Sequence, residues 1–181
     1  MNAGTLLFIL DLPLRRKIED AIETSSFLYL LNQGGTPSPG MAKENRRMII
    51  LYSASIIEAI LLHLFKRKGF VMPKVEYTKV HTLPPNYQLE TGLTLVMAKQ
   101  LTGSRSDREL MLDNLLKFFY DQGPIKLVLK EKIDRARNVR NTFHLSKSRK
   151  GIQCGDSAVQ SSFDAVLGTI RVVRAYLIAN P

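Results

Sequence analysis

The stretch from Met48 to Phe65 constrains this chain more than any other. Ile49, Ile50, Leu51, Ile56, Ile57, Ile60, Leu61, Leu62, Leu64 and Phe65 leave almost no polar side on a helix drawn through it. A helix apolar all round belongs at the centre of a packed structure or in a membrane. Ser53, Ser55, Glu58 and His63 interrupt the run, which favours a core helix over a membrane span. Polar residues before it (Lys43, Glu44, Arg46, Arg47) extend the helix back to Met41. Lys66, Arg67 and Lys68 place cations at the negative end of its dipole, and Gly69 terminates it. At 1.5 Å per residue such a helix spans about 40 Å.

A central helix needs others to cover it. Asp11 before Leu12-Pro13 predicts a helix start, with Leu14, Ile18, Ala21, Ile22, Phe27, Leu28 and Leu31 as a rough stripe to about Asn32. Residues 34–40 (GGTPSPG) form a loop by composition. Residues 70–92, rich in proline and turn formers, read as mostly irregular, with 75–80 (VEYTKV) as a short extended piece. Leu93 to Leu101 fits either a helix or a strand; Gly103 and the lack of an obvious partner strand favour helix. Ser106-Asp107-Arg108-Glu109 reads as a capping box opening a helix to near Gly123. Pro124 then occupies a first helical position. Ser157-x-x-Gln160 reads as a second capping box before a last helix to about Ile178. The expectation is an all-α bundle of five to six helices forming a single domain over residues 1–181.

The charge points to a partner class. Twenty-six Lys and Arg against sixteen Asp and Glu give a net +10 and a pI near 9.9. Such an excess suits a polyanion, although a basic surface also simply solubilises. One cysteine, Cys154, excludes an internal disulfide, and no Cys/His spacing suggests a zinc site. The short apolar run Leu6–Leu10 lacks the basic start of a secretory signal. These features are those of a cytoplasmic protein without cofactor.

Seven of the ten net charges lie in residues 125–150, IKLVLKEKIDRARNVRNTFHLSKSRK, which carry nine Lys and Arg but only Glu131 and Asp134 as acids. On a helix, Ile125, Leu129, Ala136 and Phe143 share one face, with Ile133 at its margin. Arg137, Arg140, Asn141 and His144, at offsets 0, 3, 4 and 7, share an arc beside it. Arginine suits phosphate oxygens, histidine moves protons near neutral pH, and Asn141 can orient either. Together they are sufficient for metal-independent RNA cleavage by the ribose 2′-hydroxyl. The alternative is that Arg and His in a last turn cap carbonyls and complement the dipole. Glu58, a costly acid in an apolar helix unless paired, has Arg137 and Arg140 as available cations. A solvated edge is its other possible place. Lys147, Arg149 and Lys150 would line an approach for RNA phosphates, or form a solvated loop.

The run Arg137-Asn138-Val139-Arg140-Asn141-Thr142-Phe143-His144 resembles the motif of the HEPN superfamily, an arginine followed by four to six residues and a histidine. Arg137 fits the long end of that range. Arg140-Asn141 resembles the RN-x-x-H variant, with only three residues intervening. Residues 52–60 (YSASIIEAI) are similar to the family's earlier helix with an embedded acid, and the resemblance covers about residues 40–178. It implies an α-helical bundle that dimerises with its motifs facing, and in active members a metal-independent endoribonuclease. Arg137 or Arg140 would bind the scissile phosphate, Asn141 orient and His144 act as acid and base. It implies toxin–antitoxin or other defence roles, with an antitoxin or regulatory protein as a further partner. Inactive members serve as binding modules.

Overall fold

The computed structural model describes residues 6–35, 37–82, 96–106, 109–142 and 154–181. They fall into two compact units, one helical (Met1–Gly69 with Met111–Pro181) and one formed by Phe70–Leu110.

In the helical unit, α2 (Pro39–Arg67) is the axis on which α1 (Leu12–Gln33), α3 (Leu112–Asp121), α4 (Leu127–Asn141) and α5 (Asp156–Ala179) all pack. Its sequence dictates this. Ile49, Ile50, Ala54, Ile57, Ile60, Leu61 and Leu64 are all but fully buried and point in several directions, so no single neighbour can cover them. The helix begins where Ser38 Oγ accepts the Met41 N–H at 3.4 Å, with Pro39 in the first turn. It ends as Lys68 caps it and Gly69 turns with φ +62.

The other helices follow from equally local causes. Asp11 Oδ1 accepts the Leu14 N–H at 3.0 Å and starts α1. The inner face of α1 runs through Ile18 and Ser25, whereas Phe27 and Leu30 remain 62% and 66% exposed; Phe27 is therefore not part of the stripe. Asn45 Nδ2 donates to Asn32 Oδ1 at 2.9 Å, tying the end of α1 to the start of α2. Phe118 and Phe119 of α3 meet Phe65 of α2 edge to face, with centroids 5.2 and 6.5 Å apart. Gly168 of α5 lets Leu129 of α4 approach so closely that an added Cβ would lie 2.7 Å from a leucine methyl.

The second unit corrects the all-α expectation to a mainly helical one. β1 (Pro73–Thr82) pairs antiparallel with β2 (Val96–Ser104), from Pro73 opposite Ser104 to Thr82 opposite Val96, with a bulge between Lys79 and His81. The short extended piece expected over 75–80 is the middle of a ten-residue strand, Pro73–Thr82; residues 83–92 lie outside the described residues. The helix expected over Leu93–Leu101 is strand from Val96 onward. Pro73 takes the first strand position, opposite Ser104, where a missing N–H is tolerated.

Both capping boxes also need correction. Glu109 Oε2 does accept from Ser106 N and Oγ, at 2.9 and 3.0 Å, but α3 starts only at Leu112. Ser157 lies inside α5, whose N-cap is Gly155 without a side-chain cap, and Gln160 donates to Asp164 instead. Pro124 does not open α4. Gly123, at φ +87, ends α3, and since proline has no N–H, Ile125 N–H reaches back to Phe119 O at 3.2 Å. α4 begins two residues later.

Candidate functional site

The apolar stripe of α4 is centred on Ala136, where spacing placed it, and is wider than expected: Ile133 and Val139 are buried on either side, while Leu129 is only half-buried. Leu129, Ile133, Ala136 and Arg140 succeed one another by four, three and four residues, so Arg140 lies on the buried face itself. There its guanidinium Nη1 forms an ion pair with Glu58 Oε2. The other Glu58 oxygen accepts the Leu112 N–H at 3.1 Å. Leu112 is the first residue of α3, whose N-cap Met111 has no side chain able to cap. Glu58 therefore caps α3 from α2 with one oxygen and holds Arg140 of α4 with the other. Both side chains remain partly open to solvent, 19% and 29% exposed.

Arg137 occupies the edge of the same face. Its Nη1 pairs with Asp113 Oδ1 in the first turn of α3, and its Nη2 lies 3.1 Å from Asp134 Oδ1. Its Nε is buried without a partner among the described residues. Asp134 also binds Lys130 at 2.7 Å, which holds the Lys130 ammonium pKa above its ordinary value. Lys130 Nζ stands 5.6 Å from the Tyr120 ring centre, a cation–π distance. Lys130, Arg137, Asp113, Asp134 and Tyr120 line an open pocket of about 370 Å³ between α3 and α4. Along this side of α4 three cations, Lys130, Arg137 and Arg140, are thereby matched by three carboxylates, Glu58, Asp113 and Asp134.

Asn141 is the last residue of α4, and both it and Asn138 are exposed. Thr142 closes the helix by donating its hydroxyl to Val139 O at 2.8 Å. His144, Lys147, Arg149 and Lys150, together with Phe143, lie outside the described residues. The structure thus brings together Glu58 and Arg140 and places Arg137 beside them on α4. Asn141 makes no contact with that pair among the contacts described.

Asp113 and Asp134 were not singled out as site residues. Asp134 was legible in principle, since it stands four residues after Lys130 and three before Arg137, the spacings at which side chains meet on a helix. Asp113 was not, because its partner is on another helix.

Two other reactive side chains lie elsewhere. His63 of α2 is half-buried, with Nε2 unpartnered; burial, and then the nearby Arg67, push its pKa down. Cys154 is buried, which raises its thiol pKa. No group of three or more metal-binding side chains occurs among the described residues. α2 is long and apolar enough to cross a membrane by length and composition, and here its apolar sides face the other four helices. No family model, curated protein or solved structure matches this chain.

Proposed function

We propose that this protein is a HEPN-like, metal-independent endoribonuclease acting as a homodimer with facing motifs. The observation that carries the reading is the Glu58–Arg140 pair. A guanidinium on the buried face of a helix, held by a carboxylate that is itself fixed to the next helix, is preorganised four residues before His144. Preorganised charge is what stabilises a phosphorane at low reorganisation cost.

In this reading Arg140, with Arg137 beside it, engages the scissile phosphate. His144 takes the proton of the ribose 2′-hydroxyl as that oxygen attacks phosphorus. The bond from phosphorus to the 5′-oxygen breaks, and the departing oxygen receives a proton. Asn141 orients, and Lys147, Arg149 and Lys150 guide the RNA. The products carry 2′,3′-cyclic phosphate and 5′-hydroxyl ends. No cofactor is required, and a defence or toxin role with an antitoxin-like regulator suits such an activity. The test is cleavage of mixed RNA in excess chelator, with the ends identified by mass spectrometry. Wild type should cleave and His144→Ala should not; no cleavage by either, or equal cleavage by both, refutes the reading.

One observation favours a second reading, a non-catalytic nucleic-acid-binding or protein-partner module. Both terminal nitrogens of Arg137 are already engaged by Asp113 and Asp134, which leaves it less to offer a phosphate. Salt-sensitive RNA binding without turnover distinguishes this reading from the first, and retention of an acidic protein without RNA binding marks the partner form.

A further inference from the structure

On the other flank of α4 from Arg137, a smaller pocket opens between α4 and the first turns of α5. Its volume is about 200 Å³, below the roughly 300–1,000 Å³ of sites that take drug-sized ligands, so it suits a small group. Ile50, Ala136 and Val139 line it together with Lys132, Arg135 and the serines of early α5. Among the described residues no carboxylate lines it.

The polar groups there are donors in surplus. Lys132 gives one hydrogen bond to Asp164 at 2.9 Å, and an ammonium has three to give. Arg135 is exposed and forms no ion pair among the described residues. Ser162 Oγ is occupied, donating to Val159 O at 2.7 Å and meeting Ser53 Oγ at 3.2 Å. Ser161 Oγ, by contrast, is buried with no partner among the described residues, although other buried hydroxyls of these helices, Ser53 and Thr169, bond back to a carbonyl four residues earlier. A buried unpaired hydroxyl is destabilising, and an acceptor in the pocket would satisfy it. Ser157 and Ala158 belong to the first turn of α5, which lacks a side-chain cap, so the positive end of the helix dipole adds to the same field. Asp156 is drawn to Arg46, 2.7 Å away.

We propose that this pocket binds a phosphate group through Arg135, Lys132 and the Ser157 and Ser161 hydroxyls. The phosphate is either a diester of an RNA backbone or a free phosphomonoester. The site does not depend on catalysis at His144.

The experiment is an amide NMR titration of the whole chain with inorganic phosphate. Saturable shifts centred on Ser157, Ala158 and Ser161 are expected, and Arg135→Gln should weaken binding roughly ten-fold, as the loss of one charge-assisted hydrogen bond does. Ser161→Ala should weaken it too, with a thermal midpoint no lower than that of wild type, and His144→Ala should leave it intact. Tighter binding of adenosine 5′-monophosphate than of a trinucleotide without terminal phosphate assigns the site to a free monoester; the reverse order assigns it to the RNA backbone. Absence of saturable shifts at the start of α5, or equal affinity of wild type and Arg135→Gln, overturns the proposal. Since His144→Ala abolishes cleavage but not this binding, failure of the ribonuclease reading and failure of the pocket are distinguishable.

Discussion

A carboxylate inside an apolar helix is stable only while its oxygens are engaged, and Glu58 engages one with a backbone N–H and the other with a guanidinium. The two bonds separate by mutation. Glu58→Gln keeps an acceptor for Leu112 but loses the charge opposite Arg140, and should cost about 1–2 kcal/mol. Glu58→Ala leaves both the α3 end and Arg140 unpaired and should cost about 2–4 kcal/mol, below the full range for a buried pair because both side chains are partly solvated. Urea unfolding of the two variants measures the difference. His63 gives a pH signature. Its folded-state pKa lies below the ordinary 6.5, so below that pH the unfolded chain binds a proton that the folded chain resists. Its contribution is complete above pH 6.5 and is lost as pH falls toward the folded value. Thermal midpoints should therefore drop between about pH 7.5 and 5.5, and His63→Gln should flatten that drop.

At the level of elements, legibility followed the range of the forces involved. The start of α1 and the end of α2 were readable because Asp11 and Gly69 act within one turn of themselves, whereas α2 starts at Pro39, capped by Ser38, inside the stretch read as loop before Met41. The ribbon was not. Leu93, Val96, Met97 and Leu101 keep helical spacing and Leu93, Leu95 and Met97 keep extended spacing, and the choice between them depends on a strand some twenty residues away. The same holds for the site: the apolar context of Glu58 announced a need for a cation, but only packing selected Arg140 over Arg137. In the ribbon unit, Lys74 and Ser106 together hold the Glu109 carboxyl down at about 2. A carbon-13 titration should find that midpoint in the wild type and one moved up toward 4.5 in Lys74→Ala. In α5, Gly168→Ala should be nearly neutral in denaturant midpoint. The added Cβ meets only the Leu129 side chain, whose methyl must turn aside, and the roughly 1 kcal/mol gain in helix propensity offsets the adjustment.

For the molecule as a whole, the asymmetry of charge matters more than its sum. The Phe70–Leu110 unit is close to neutral, with five Lys and Arg against four acids, so nearly all of the net +10 belongs to the helical unit. RNA affinity should accordingly fall steeply with salt. Single strands lose about 0.7 in the logarithmic slope for each phosphate contact removed. Replacing Lys147, Arg149 and Lys150 with Gln should therefore flatten the slope by about 2 if all three touch phosphate, a change that filter binding across a salt series resolves. Within this field, the Leu112 amide is a built-in gauge. Its hydrogen bond ends on the same carboxylate that Arg140 neutralises. Any anion that draws the guanidinium away leaves that carboxylate with more of its charge facing the amide, and the amide's proton resonance and exchange rate report the anion from a helix the anion never touches.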